Sequence, residues 1–285
     1  MSIEGSDRPV HSLRDDATNQ ILDERGIELR KMILKAISTG GRGHLGPALS
    51  LLEIVSTLYD SVLNHDPRFP ESSERDVFIL SKGHGCLGLY AVLAQNGYFP
   101  IEELTTFCKY DSRLGGHPEW HNLQGIEFST GSLGHGLAVA VGIGRAFQLK
   151  KSTRRVFVLV GDGELGEGSI WESALHAAKY SMSSLSLIVD YNHMQAYGDV
   201  DSVLPLESLR DKFVSFGFNV NEINGHCRAS IIEALTIKRS AKKPNVVIAH
   251  TIKGKGIKLA ENSSEWHHKA KIKESDIAKL LSELA

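Results

Sequence analysis

Glycine-flanked acids and histidines are the residues of this sequence best placed to do chemistry. The run Gly161-Asp162-Gly163-Glu164-Leu165-Gly166 follows directly on the apolar stretch 155–160, and the next apolar stretch, 185–190, ends at Asp190. Glycines at 161, 163 and 166 satisfy G-x-G-x-x-G. With an acid closing the following strand they complete a dinucleotide fingerprint, so an NAD-binding oxidoreductase is one reading. The Asp at the second position argues against it, because a carboxylate repels a pyrophosphate unless a cation stands between them. Mg2+ takes hard oxygen ligands, commonly one or two protein groups plus phosphates and water. Asp162 after one strand and Asn192 just after the next could supply them, since neighbouring strands lie ~4.8 Å apart. For the turn alone, an ordinary tight Gly-Asp-Gly turn competes evenly.

Histidine numbers thirteen, and four blocks place it in glycine-rich or polar surroundings where a packing role is poorly served. They are Gly43-His44-Leu45-Gly46, Ser81-Lys82-Gly83-His84-Gly85, Gly115-Gly116-His117-Pro118-Glu119 and Glu265-Trp266-His267-His268. Neutral imidazole donates, accepts and moves protons near neutral pH. A single histidine is more often structural, so the weight rests on the flanking residues. Two further blocks join these, Ser129-Thr130-Gly131-Ser132-Leu133-Gly134 and Thr251-Ile252-Lys253-Gly254-Lys255-Gly256.

A strand, Gly-Asp-Gly, 28 intervening residues and Asn192 form the signature of Mg2+–thiamine diphosphate binding. Together with the other blocks, in this order, the sequence resembles the N-terminal segment of transketolase from about Leu29 to its end. The resemblance implies that Asp162, Asn192 and the Met194 carbonyl hold Mg2+, or Ca2+ or Mn2+ in its place. It implies that Gly161, Gly163, Glu164 and the segment Gly131, Ser132, Leu133 bind thiamine diphosphate, and that His84 and His267 reach its diphosphate. His44, which also borders the cofactor, His117 and His267 would contact the hydroxyls of a ketose donor. Glu167 and Glu172 would link paired cofactor sites across a dimer. His44, His84, His117, His267 and Glu167 are thus the expected catalytic set. His135 stands where the family usually has Gln, and the run Tyr191-Asn192-His193-Met194-Gln195 departs from the commoner sequence. His193 and His268 receive no role and are expected to be exposed.

The family activates its cofactor through a Glu on a second, pyrimidine-binding domain, which also carries an Arg-rich phosphate pocket. This chain is expected to end after the first domain. It therefore resembles the N-terminal subunit of a split transketolase, with a C-terminal subunit completing the active site in an α2β2 assembly and sugar phosphates as substrates. The isolated chain is expected to bind cofactor weakly and to turn over nothing. The competing readings are a related thiamine-diphosphate subunit using another donor, such as pyruvate or a sulfosugar, and a non-catalytic regulatory partner that keeps the fold.

The elements that must position these residues follow from periodicity. Leu22, Leu29, Ile33, Ala36 and Ile37 predict an amphipathic helix over 13–38 that stops at Gly40-Gly41, after a polar leader at 1–12. A second helix over 50–63 takes Ser50 as its cap. Apolar runs at 77–80, 155–160, 185–190 and 245–249, with a weaker one at 218–223, predict strands. They alternate with helices at 85–96, 132–149, 169–181, 206–216 and 229–241. Strands apolar on both faces, separated by helices, indicate a three-layer α/β/α domain with a mostly parallel sheet, spanning 1–285 as one unit. A long loop at 251–273, expected to border the active site, leads to a last helix at 274–284. Its lysines at 253, 255, 258, 269, 271 and 273 are expected to form a solvated face.

Composition sets the outer bounds. The chain has 285 residues and a net charge of −2, so nothing draws it to nucleic acid or anionic membrane. Cys86, Cys108 and Cys227 are widely spaced and read as buried free thiols in a reducing compartment. No apolar leader or membrane-length run is present, and a cytoplasmic location is expected.

Overall fold

The computed structural model describes residues 10–196, 198–237 and 242–284. Its centre is a five-stranded parallel sheet of β1 (Val77–Leu80), β2 (Val156–Gly161), β3 (Leu185–Tyr191), β4 (Asn219–Asn224) and β5 (Asn245–His250). The strand order is β1-β2-β3-β5-β4. Every residue of β1, β2 and β3 is buried, the pattern of strands covered on both faces. Alternate residues divide between two cores. Phe157, Leu159, Ile188 and Val247 join one, and Val156, Val158, Leu187 and Ile248 join the other. The three-layer α/β/α class is thereby realised.

The helices, in chain order, are α1 (Val10–Asn19), α2 (Glu24–Gly40), α3 (Leu45–Ser50), α4 (Leu52–Thr57), α5 (Cys86–Gln95), α6 (Gly136–Leu149), α7 (Gly168–Lys179), α8 (Val200–Val203), α9 (Leu209–Ser215), α10 (Arg228–Thr236) and α11 (Glu274–Ser282). The helix predicted over 13–38 is two. Asp23 accepts the Gly26 N–H at 2.7 Å as an N-cap, which restarts the helix as α2, and α1 begins inside the predicted leader. The end at Gly41 is as expected, with that residue left-handed at φ 66° and its N–H on the Ile37 carbonyl.

Ser50 caps nothing. The helix starts earlier, at Leu45, bends at Leu51, and continues through α4 into a π turn ending at Val62. The Ser50 hydroxyl is fully buried and donates to Asp190 at 2.6 Å. The remaining predicted helices are present, most of them shorter than expected at one end or both, and the tail of the one placed over 229–241 lies, at 238–241, outside the described residues.

The predicted lysine face is not a solvated one throughout. Lys253 and Lys255 are 1% and 4% exposed. The Lys255 ammonium donates to the Thr18 carbonyl at 2.7 Å, which ties the 251–273 loop to α1. Of the cysteines, Cys86 is buried, Cys108 and Cys227 are half-buried, and all three are free thiols. No described helix is long and apolar enough to cross a membrane.

Candidate functional site

All five strands run the same way, so their carboxyl ends deliver five loops to one edge of the sheet. A cavity of about 370 Å3 opens there. The loop after β1 brings Lys82 and His84 to it, β2 brings Asp162, Gly163 and Glu164, β3 brings Asn192, Met194 and Gln195, and β5 brings Lys253. His44, His117 and His267 close it from loops far apart in sequence. In the β2/β3 register Gly161 sits opposite Asp190, which places Asp162 level with the start of the Asn192 loop.

The floor is a network of buried charges. Asp190 is 0% exposed and accepts from the Ser50 hydroxyl, the Thr251 hydroxyl and the Lys82 ammonium. Burial opposes its ionisation, yet Lys82 and the hydroxyls hold its carboxyl below the usual range. With its oxygens so engaged, Asp190 cannot read the ribose hydroxyls of a dinucleotide, and the NAD reading loses its acid. Asp162 differs. Burial, and then the neighbouring Asp190, raise it to about 7, the mark of a carboxylate short of positive charge. Its oxygens accept the backbone N–H groups of Gly163 and His193.

The Met194 carbonyl faces a cation already, the Lys253 ammonium at 3.2 Å. Burial and then Lys82 lower Lys253 to about 8. A carboxylate lacking charge, an amide oxygen and a carbonyl that attracts an ammonium, all on one cavity wall, make an oxygen donor set suited to Mg2+. The two buried lysines beside it suit a diphosphate. The residues present therefore fit a metal–diphosphate group.

Above this floor the imidazoles gather around His44, whose ring centroid lies 5.6 Å from His84, 5.9 Å from His117, 5.7 Å from His267 and 4.5 Å from His268. Burial, then His268 and His117, push His44 down to about 4, and burial with the Lys253 ammonium pushes His267 down to about 3. His84 lies well below its ordinary value through burial and Lys82, and His117 is lowered by burial and His268. These four rings are therefore neutral at pH 7. For His267 the tautomer follows too. Lys253 can only donate, so Nδ1 accepts at 2.7 Å and the proton sits on Nε2.

The sequence-predicted residues divide. Gly131, Leu133, Gly161, Asp162, Gly163, Glu164, Asn192, Met194 and the four histidines line the cavity, whereas Ser132, His135, Glu167 and Glu172 are exposed and do not line it. Glu164 lines it with its carboxylate already engaged, by Ser81, the Gly134 N–H and the Gly161 N–H. His193 is not exposed as expected, since both its ring nitrogens are buried. Lys82 and Lys253 were missed although they stand inside the quoted blocks. A lysine directly before a glycine, beside a candidate anion site, was the available signal.

The chain has marked similarities to known proteins. The family model "Transketolase, thiamine diphosphate binding domain" matches residues 23–285. An apulose-4-phosphate transketolase subunit from Actinobacillus succinogenes is 45% identical over 86% of this chain and 88% of that protein. A 6-deoxy-6-sulfo-D-fructose transketolase subunit from a Clostridium species is 40% identical over 84% of this chain and 88% of that one. Among solved structures, transketolase from Campylobacter jejuni superposes with a TM-score of 0.83 at 31% identity, covering 92% of this chain. The matched region is 43% of the Campylobacter chain, so this chain spans under half the length of that transketolase.

Proposed function

Because the chain belongs to the transketolase family, as its N-terminal, thiamine diphosphate-binding part, we propose that it serves a Mg2+- and thiamine diphosphate-dependent enzyme that moves a two-carbon ketol unit. The unit passes from a ketose phosphate to an aldose phosphate, in the cytoplasm. The observation that carries the reading is the single cavity uniting Asp162, Asn192 and Met194 with two buried lysines and four neutral imidazoles.

When bound, thiamine diphosphate would supply the electron sink for breaking the ketose C2–C3 bond. Asp162, Asn192 and the Met194 carbonyl would hold the Mg2+, and Lys82 and Lys253 would offset the diphosphate charge. His44, His117 and His267 would bind the sugar hydroxyls. Being neutral at pH 7, His44 and His117 can each accept a proton from a hydroxyl at one nitrogen and donate from the other. His267 enters with its Nε2 proton ready to donate, because Lys253 occupies Nδ1.

Relatives whose names describe them as transketolase subunits support a partner chain, which would supply the pyrimidine-binding domain and activating Glu in an α2β2 assembly. The names of two relatives carry apulose-4-phosphate and 6-deoxy-6-sulfo-D-fructose, which makes those donors the first to assay beside the common ketose phosphates. Gentle purification of the tagged chain from its native cells, with Mg2+ and thiamine diphosphate, tests the reading. A stoichiometric second polypeptide whose addition confers two-carbon transfer is the expected result. A chain recovered alone, or a complex inert toward every donor, would overturn it.

A further inference from the structure

His268 stands outside the cavity lining, yet its ring lies closer to His44 than any other imidazole of the cluster, 4.5 Å between centroids with the planes 46° apart. It is close enough to His117 to help lower that ring as well. The position is built rather than incidental. On one side Trp266 is buried, with the Lys269 ammonium 4.0 Å over its ring and paired to Glu265 at 2.6 Å. On the other, Lys269 and Gly43 exchange both backbone hydrogen bonds, at 2.9 and 3.0 Å, and the Ile272 N–H reaches the Gly41 carbonyl at 2.8 Å. The turn carrying His268 is thus pinned to the turn carrying His44.

The side chain itself is exposed, beside the half-buried His44 that lines the cavity. Exposure rises from Asp162 and Lys82, which are buried, through His84 and His44, which are half-buried, to His268, which is exposed. A sugar whose reacting end lies among the half-buried imidazoles, above the floor, can extend its remainder past His44 to the exposed His268 ring 4.5 Å away. We propose that His268 is a substrate-recognition residue, a further imidazole that hydrogen-bonds hydroxyls on the part of the sugar beyond the two transferred carbons. This inference rests on the transferase reading above. That outer region receives both the aldose that leaves and the aldose that enters, so His268 recognises donor and acceptor through the same atoms. One ring offers one donor and one acceptor, a match for a pair of neighbouring hydroxyls.

The test uses the complete enzyme with its partner subunit, Mg2+ and thiamine diphosphate. His268→Ala is expected to raise KM for the ketose donor and for the aldose acceptor about three- to tenfold, the loss of one neutral hydrogen bond. With 3-hydroxypyruvate, whose departing part is CO2, the loss in kcat/KM is expected to be at least threefold smaller. His268→Asn, which keeps a donor and an acceptor, is expected to recover most of the affinity. Equal losses on ketose and hydroxypyruvate, or no loss on either, would overturn the inference.

A binding measurement separates it from the transferase reading. An alditol phosphate, which has no carbonyl to react, is titrated against protein with carbon-13-labelled imidazoles, the His268 resonance being identified by its absence in His268→Asn. The His268 and His44 resonances are expected to shift over the same concentration range. Should that occur in a complex that transfers nothing, the transferase reading fails and the His268 contact stands. If His44 shifts alone, or neither shifts, the His268 contact is refuted whatever the activity.

Discussion

At Asp162 a deep carboxylate raised to about 7 faces an amide oxygen and a carbonyl, and the shortage of positive charge is the residue-scale reason to place a cation there. Asp162→Ala is expected to weaken Mg2+-dependent thiamine diphosphate binding at least about 100-fold, and equilibrium dialysis showing wild-type affinity would contradict it. The histidines give a pH prediction. His44, His117 and His267 have folded-state pKa values below that of free histidine, His44 at about 4 and His267 at about 3. Between those values and about 6.5 the unfolded chain binds more protons, so stability is complete above about 6.5 and declines as pH falls through that window. Melting temperature should drop on going from pH 7 to 5, and His44→Asn should flatten the drop; a profile level over that range would refute the neutral cluster. The acids, glycines and histidines of the site were legible because each stands in a run that secondary structure alone does not require. Lys82 and Lys253 were not, since the groups that let an ammonium be buried, Asp190 at the end of β3 and the Met194 carbonyl in the loop after it, lie far away in sequence.

One element scale up, a buried ion pair fixes the loop that carries Lys253. Arg30 on α2 forks onto Glu53 on α4, with contacts of 2.6 and 3.2 Å, and its Nε donates to the Lys255 carbonyl at 2.8 Å. His226 meets the same carboxylate at 2.7 Å through Nδ1, while its Nε2 accepts the Ile252 N–H at 2.9 Å, which fixes its proton on Nδ1. Burial would raise the Glu53 carboxyl, but Arg30 and His226 hold it far below the usual range. Glu53→Ala strands a buried guanidinium and should cost about 3–5 kcal/mol, read by urea unfolding; a loss below about 1 kcal/mol would disprove the role. Gly254, at φ 79°, has no room for a side chain, a Cβ meeting the Ala260 carbonyl oxygen at 2.0 Å. Gly254→Ala should therefore displace Lys253 and weaken cofactor binding about tenfold or more, and calorimetry giving an unaltered Kd would exclude that linkage. The sequence showed helices and strands where one apolar face persists. It misplaced the start of α2 and the role of Ser50, because Asp23 and Ser50 are defined by what they bond to, a local N–H in one case and a strand 140 residues away in the other.

For the molecule as a whole, alternating apolar runs were enough to indicate a parallel sheet between helical layers, but not the strand order. The half-buried pattern of β4 marks it as an edge, and that edge lies beyond β5. If the cofactor is gripped between two subunits, Mg2+ and thiamine diphosphate should raise the melting temperature of the complex more than that of this chain alone; equal shifts would speak for a site complete within one chain. The pairing of Gly43 with Lys269 has a further consequence, for the order of events when the chain acquires its shape. His44 and His267 are separated by more than 220 residues, and the bridge beside them closes one of the longest loops the chain can form. Closing it gains little until the strands between are assembled, since the entropy lost rises with loop length while the bridge returns only two hydrogen bonds. The mouth of the cavity thus belongs to the late, high-contact-order part of folding. On refolding, helix content should recover first and ligand competence afterwards, so a newly made chain passes through an interval in which it has its sheet but no working pocket.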